Sequence, residues 1–99
     1  MCRTFFIAYK PATKVDASIR ITQWLDDLYV SFLYIEGIGW FAALHFQPYQ
    51  LRDNLLHLIH TEDILLIFEV GAGWSAWGLS EGQKYWLQRN WYPGLPQVG

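Results

Sequence analysis

An α+β fold is predicted for this chain: one four-stranded antiparallel sheet, two helices on one of its faces, and a short helical appendix at the C-terminal end. Three observations carry that expectation. Runs rich in β-branched and aromatic residues alternate with one-sided amphipathic segments, in the order strand, helix, strand, strand, helix, strand. Ninety-nine residues are enough for one hydrophobic core and too few for two. The composition is 53% apolar and only 16% charged, against about 25% charged in an ordinary domain.

The first strand is Arg3-Thr-Phe-Phe-Ile-Ala-Tyr9, closed by Lys10-Pro11. After a loop over 10–15, Asp16 is placed to cap a helix whose apolar residues Ala17, Ile21, Trp24, Leu25 and Leu28 share one face, ending near Tyr29. Ser31 to Glu36 and Trp40 to Phe46 flank Gly37-Ile38-Gly39 and read as a hairpin. Pro48 suits the first turn of a second helix, where its missing N–H costs nothing. Leu51, Leu55, Leu58 and Ile59 mark the inner face of that helix, and Arg52, Asp53, His57 and His60 the outer. Asp63 to Val70 is almost continuously apolar, which predicts a strand covered on both sides. Beyond a glycine-rich stretch, Ser80-x-x-Gln83 has the spacing of a capping box and opens a helix reaching about Asn90.

With right-handed crossovers this order gives the ferredoxin-like βαββαβ sandwich. A single domain over 1–91 is expected, followed by a loosely ordered Pro/Gly-rich tail over 92–99. In the third strand Trp40, Ala42, Leu44 and Phe46 point one way and Phe41, Ala43 and His45 the other. In the fourth, Ile64, Leu66, Phe68 and Val70 oppose Leu65, Ile67 and Glu69. Both faces are apolar and two helices cover only one. The second face therefore needs a cover, from the appendix or from another subunit.

The remaining composition narrows the function. Six each of Trp, Tyr and Phe exceed what one small core hides, so some rings belong at an interface. A net charge of −2, with the basic residues scattered, makes the chain a poor general nucleic-acid binder. Lys10 and Lys14, with Tyr9 beside them, are the candidate nucleic-acid contacts, since a dimer would bring the lysines of two chains together. Cys2 alone allows neither an internal disulfide nor a cysteine-based zinc site. Arg3 to Tyr9 is too short for a signal segment, and no run approaches the ~20 apolar residues of a membrane helix. A soluble, cytoplasmic protein that does not engage membranes is the expectation.

Other groupings read more simply as structure than as chemistry. His57 and His60, with Asp53 or Glu62, have metal-ligand spacing but sit where a helix is ordinarily solvated. Asp26-Asp27 at a helix end reads as surface charge. His45 and Glu69 read as a hydrogen-bonded interface pair more readily than as a catalytic dyad. Gly71-Ala-Gly73 lacks the Lys-Ser or Lys-Thr of a phosphate loop. Trp40, Trp74 and Trp77 are rings that would stack on bases, yet no basic residues interleave with them.

Several blocks together resemble a known family. These are Phe5-Phe-Ile-Ala-Tyr9, Gly39-Trp40, Arg52-Asp53-x-Leu55, Asp63-Ile-Leu-Leu-Ile-Phe-Glu-Val70, Gly73-Trp-Ser-Ala-Trp-Gly-Leu79 and Trp86-Leu87. They look like the bacterial SinR-like family of small proteins, relatives of the CRISPR adaptation endonuclease. That resemblance implies a homodimer built over the open sheet face, with the segment after the fourth strand reaching the neighbouring chain. It also implies a nuclease site in which a Tyr-Asp pair ends the first strand and the aspartates of two chains hold Mg or Mn. Here Tyr9 is followed by Lys10, and an ammonium cannot ligate a hard cation.

The expected function is that of a small homodimeric interaction or regulatory protein of bacterial or phage defence and mobile-element systems, without catalysis or cofactor and with a further protein partner. Phe41, His45, Ile67, Trp74 and Trp77 are expected to cover the open face, and Tyr85, Trp86 and Trp91 to anchor the appendix on the core or the partner. The alternatives are a metal-dependent endoribonuclease or deoxyribonuclease with replacement ligands such as Asp16 or Glu36, and a phage-encoded inhibitor of a nucleic-acid-targeting complex.

Overall fold

Over residues 3–71 and 77–90, which the computed structural model describes, the elements run β1 (Arg3–Lys10), α1 (Ser18–Asp27), β2 (Phe32–Ile35), β3 (Gly39–Leu44), α2 (Pro48–Leu55), β4 (Ile64–Glu69) and α3 (Glu81–Asn90). The strands form one sheet in the order β2-β3-β1-β4, with every neighbouring pair antiparallel. This α+β arrangement is compatible with a ferredoxin-like fold. The expected tail over 92–99 lies outside the described residues.

The core forms where alternate residues of the central strands meet the apolar stripes of α1 and α2. Phe5 and Ile7 of β1 and Trp40, Ala42 and Leu44 of β3 pack with Ile21, Leu25, Leu51 and Leu55, all essentially excluded from solvent. Trp40 is 1% exposed. Its indole N–H donates to Thr22 Oγ1 at 2.9 Å, and its ring lies 5.0 Å from that of Tyr34 and 6.4 Å from that of Tyr9. A buried indole needs such an acceptor, so Trp40 is a core residue and presents no base-stacking surface.

Local chemistry fixes the element ends. Ala17, not Asp16, precedes the first helical turn; the Asp16 carboxylate accepts from the Ser18 N–H at 2.8 Å, turning the chain one residue before the helix. Gln47 and Gln50 cap α2 reciprocally with Pro48 behind them, a glutamine version of the capping box. Ser80 and Gln83 do the same at α3, with Ser80 N–H to Gln83 Oε1 at 2.9 Å and Gln83 N–H to Ser80 Oγ at 3.1 Å. The β2–β3 turn requires glycine at position 39, where φ is +151° and an added Cβ would lie 2.1 Å from the Ile7 carbonyl oxygen.

Two expectations need correction. α2 stops at Leu55, because the chain tightens into turns, with the Leu58 N–H on the Leu55 carbonyl at 2.9 Å; His57 and His60 therefore lie beyond the helix and not on its outer face. Leu58 and Ile59 still reach the core. β4 is an edge strand and is not covered on both faces: Leu65 and Ile67 pack on the core, whereas Ile64, Leu66 and Phe68 on the opposite face stay half-exposed. Its apolar run serves two different surfaces.

Candidate interaction surface

Side chains alternate across a strand, and directly opposed residues of neighbouring strands share a face. The register therefore places Leu33, Phe41, Phe6 and Phe68 in one row across all four strands, on the side away from α1 and α2. A second row holds Ile35, Gly39, Ala8 and Leu66. Neither row contains a charged or polar side chain. The rings of Phe6 and Phe41 are tilted against each other at 4.8 Å. Towards the β4 edge the cover thins: Ile64, Leu66 and Phe68 are 53%, 51% and 53% exposed. Soluble subunits rarely leave so continuous an apolar surface in water.

The appendix shields one end of this face. Thr4 lies on the open side, yet is buried, and its hydroxyl donates to the carbonyl oxygen of Asn90 at the end of α3. Leu87 is the residue that α3 buries, and Trp86 is half-buried behind it. Tyr85 faces outward, with Arg89 over its ring. The helix therefore docks near Thr4, while Phe68 and Leu66 stay half-exposed.

The proposed interface residues distribute as follows. Phe41 lies in the first row of the open face, and His45 follows β3 on an exposed bend. Ile67 does not belong to that face: with Leu65 it turns towards the helices and packs against the core, so Leu66 and Phe68 take its place. Trp77 covers nothing within the described chain, being 99% exposed. Trp74 and Trp91 lie outside the described residues. His45 and Glu69 do not pair; Glu69 points to the helix side and accepts from Arg3 at 3.2 Å.

The end of the sheet carrying Tyr9, Lys10 and Lys14 is organised around Asp63. One oxygen of its carboxylate accepts from Tyr9 Oη at 2.8 Å and from the His60 N–H at 3.0 Å, and the other accepts from the Ala12 N–H at 2.8 Å. Tyr9 in turn accepts from the Ala17 N–H at 3.1 Å. The Ala12 amide, followed by the Tyr9 hydroxyl, holds the Asp63 carboxyl below its usual range. Burial, reinforced by the Asp63 charge, lifts the Tyr9 phenol above its usual value. Tyr9 is thus a strut between β1, α1 and the start of β4. Lys10 and Lys14 are exposed and, among the described residues, make no ion pair.

Sequence reasoning missed Phe6, Leu66, Phe68 and the Asp63 hub. The phase of β4 relative to Phe5 and Ile7 carried the information for the first three, but it becomes legible only once the β1–β4 register is known. Asp63 gave one signal, an acid immediately before an apolar strand. Among the described residues no group of three or more His, Cys, Asp or Glu side chains gathers as metal ligands, and no helix is long and apolar enough to cross a membrane. No family model, no curated protein and no solved structure matches this chain.

Proposed function

We propose that this chain is a ferredoxin-like interaction protein that self-associates as a homodimer and presents an apolar sheet face to a protein partner. The uncharged pair of rows ending in half-exposed Leu66 and Phe68 is the observation that carries the reading. Such side chains on an edge strand stabilise an assembly far more than the isolated subunit. Lys10 at the close of β1, where the resemblance to the SinR-like family calls for an aspartate, favours binding over metal-dependent cleavage. The setting that resemblance suggests is bacterial or phage defence and mobile-element biology.

The test is the mass of the purified protein in solution at micromolar concentration, by light scattering coupled to size exclusion. A dimer is expected, with Phe68→Asp running as a folded monomer. A monomeric parent protein, or a Phe68→Asp variant that remains dimeric, would remove the reading. Mg²⁺- or Mn²⁺-dependent cleavage of RNA or DNA would replace it with the nuclease alternative.

A further inference from the structure

The backbone of β4 carries more than an exposed edge. The Val70 N–H donates to the Thr4 carbonyl at 3.0 Å, and these two residues continue the β1–β4 register. In an antiparallel ladder, hydrogen-bonded and non-bonded pairs alternate. Phe68, Leu66 and Ile64 therefore aim their N–H and C=O groups at β1. Leu65, Ile67 and Glu69 aim theirs outward, and no described strand receives them. Proteins usually blunt such an edge with a lysine, a proline, a bulge or inward-pointing charge. From Ile64 to Phe68 this strand has none of these, and the one inward-side charge, Glu69 at its end, is already paired with Arg3 at 3.2 Å.

We infer that two copies of this chain join antiparallel along β4, with the two-fold axis at Ile67. That register engages all three outward residues: Ile67 with the partner's Ile67, Leu65 with the partner's Glu69, and Glu69 with the partner's Leu65. Two four-stranded sheets become one of eight strands, and the two open faces become one continuous apolar surface. Side chains on the helix side agree with this choice. A groove of about 320 Å³ beside β4 is lined by Pro48, Tyr49, Arg52, Leu65 and Ile67. The partner's Glu69, directly opposite Leu65, would bring a second carboxylate to the groove that Arg52 lines, where Arg52 now pairs with Asp53 at 2.9 Å on the exposed surface. The inference rests on the homodimer proposed above and specifies its seam.

Three variants in a Cys2→Ser background separate seam from face. Ile67→Pro deletes an outward N–H while leaving the bonds to β1 intact, a position at which an edge strand tolerates proline. Two hydrogen bonds at the axis are lost, so the dimer dissociation constant should rise about 10- to 100-fold. Phe41→Lys places a charge two strands from the seam and should leave the dimer in place. Ile67→Cys should oxidise to a covalent dimer, because opposed hydrogen-bonded residues sit about 5.5 Å apart at Cα, within disulfide range. A dimer that Phe41→Lys breaks and Ile67→Pro spares would overturn the seam while leaving the homodimer standing. A monomeric parent protein would overturn both. If Ile67→Pro fails to fold, failure of Ile67→Cys to cross-link within a dimeric protein rejects the seam.

Discussion

Trp40 and Thr22 offer a direct measurement of whether the aromatic surplus of this chain serves its core. Trp40→Phe keeps a ring in the site but removes the indole N–H that reaches Thr22 Oγ1 at 2.9 Å. A buried Trp contributes about 200 Å², of which roughly a quarter disappears on truncation to Phe; at ~25 cal/mol per Å² that is about 1.2 kcal/mol. The lost hydrogen bond adds about 1 kcal/mol, for a total near ~2 kcal/mol. Thr22→Val alone strands the indole N–H in the core and should cost about 1–2 kcal/mol. The double variant has no stranded donor, so the two effects should couple by about 1 kcal/mol. Urea unfolding followed by far-UV circular dichroism, at one fixed protein concentration, reads all four corners of the cycle; a slope near ~1.2 kcal/mol per M would turn the Trp40→Phe loss into a midpoint shift of about 1.7 M. Additivity within ~0.3 kcal/mol would refute the Trp40–Thr22 bond as a source of stability. A Trp40→Phe variant of unchanged stability would refute the core assignment itself.

Two further outcomes follow from the geometry. Gly39→Ala should destabilise the fold by about 2–3 kcal/mol, since the new methyl group meets the Ile7 carbonyl oxygen and the φ of +151° disfavours any Cβ; an unchanged thermal midpoint would contradict the turn geometry. The Asp63 hub predicts opposite trends at the two ends of the pH scale. A carboxyl whose folded pKa is depressed binds fewer protons in the native state, so its contribution is present above the unfolded value near ~3.9 and is lost as pH falls through the folded pKa. Tyr9, raised by burial, keeps its proton longer when folded, so stability falls as pH climbs past about 10. Asp63→Asn should flatten the acid limb of a stability-versus-pH profile, and an acid limb of unchanged depth in that variant would show that other carboxyls govern it.

Several elements were legible from local pattern because local chemistry dictates them. The i, i+4, i+7 stripe of α1, Pro48 opening α2 and the Ser80–Gln83 box each depend on neighbours a few residues away. The side of β3 on which Phe41 lies was equally readable, because its opposite set, Trp40, Ala42 and Leu44, is plainly the larger apolar surface. β4 was not readable in that way. Ile64-Leu-Leu-Ile-Phe68 is apolar in both phases, so period-two alternation divides it into two sets without saying which meets the helices.

The sequence by itself determined the order of strands and helices, the one-sided burial of α1 and α2, and the presence of a second apolar face that needs a cover. Tertiary pairing alone decided that β1, flanked by β3 and β4, leaves β4 at an edge. It also decided that Ile67 joins the core while Leu66 and Phe68 do not, and that Trp40 is bonded inside whereas Trp77 stands in solvent. The physical reason is range: helix faces and caps are fixed by contacts within one or two turns, whereas strand phase and edge are fixed by hydrogen bonds between residues some sixty positions apart, as in the pairing of Phe6 with Phe68.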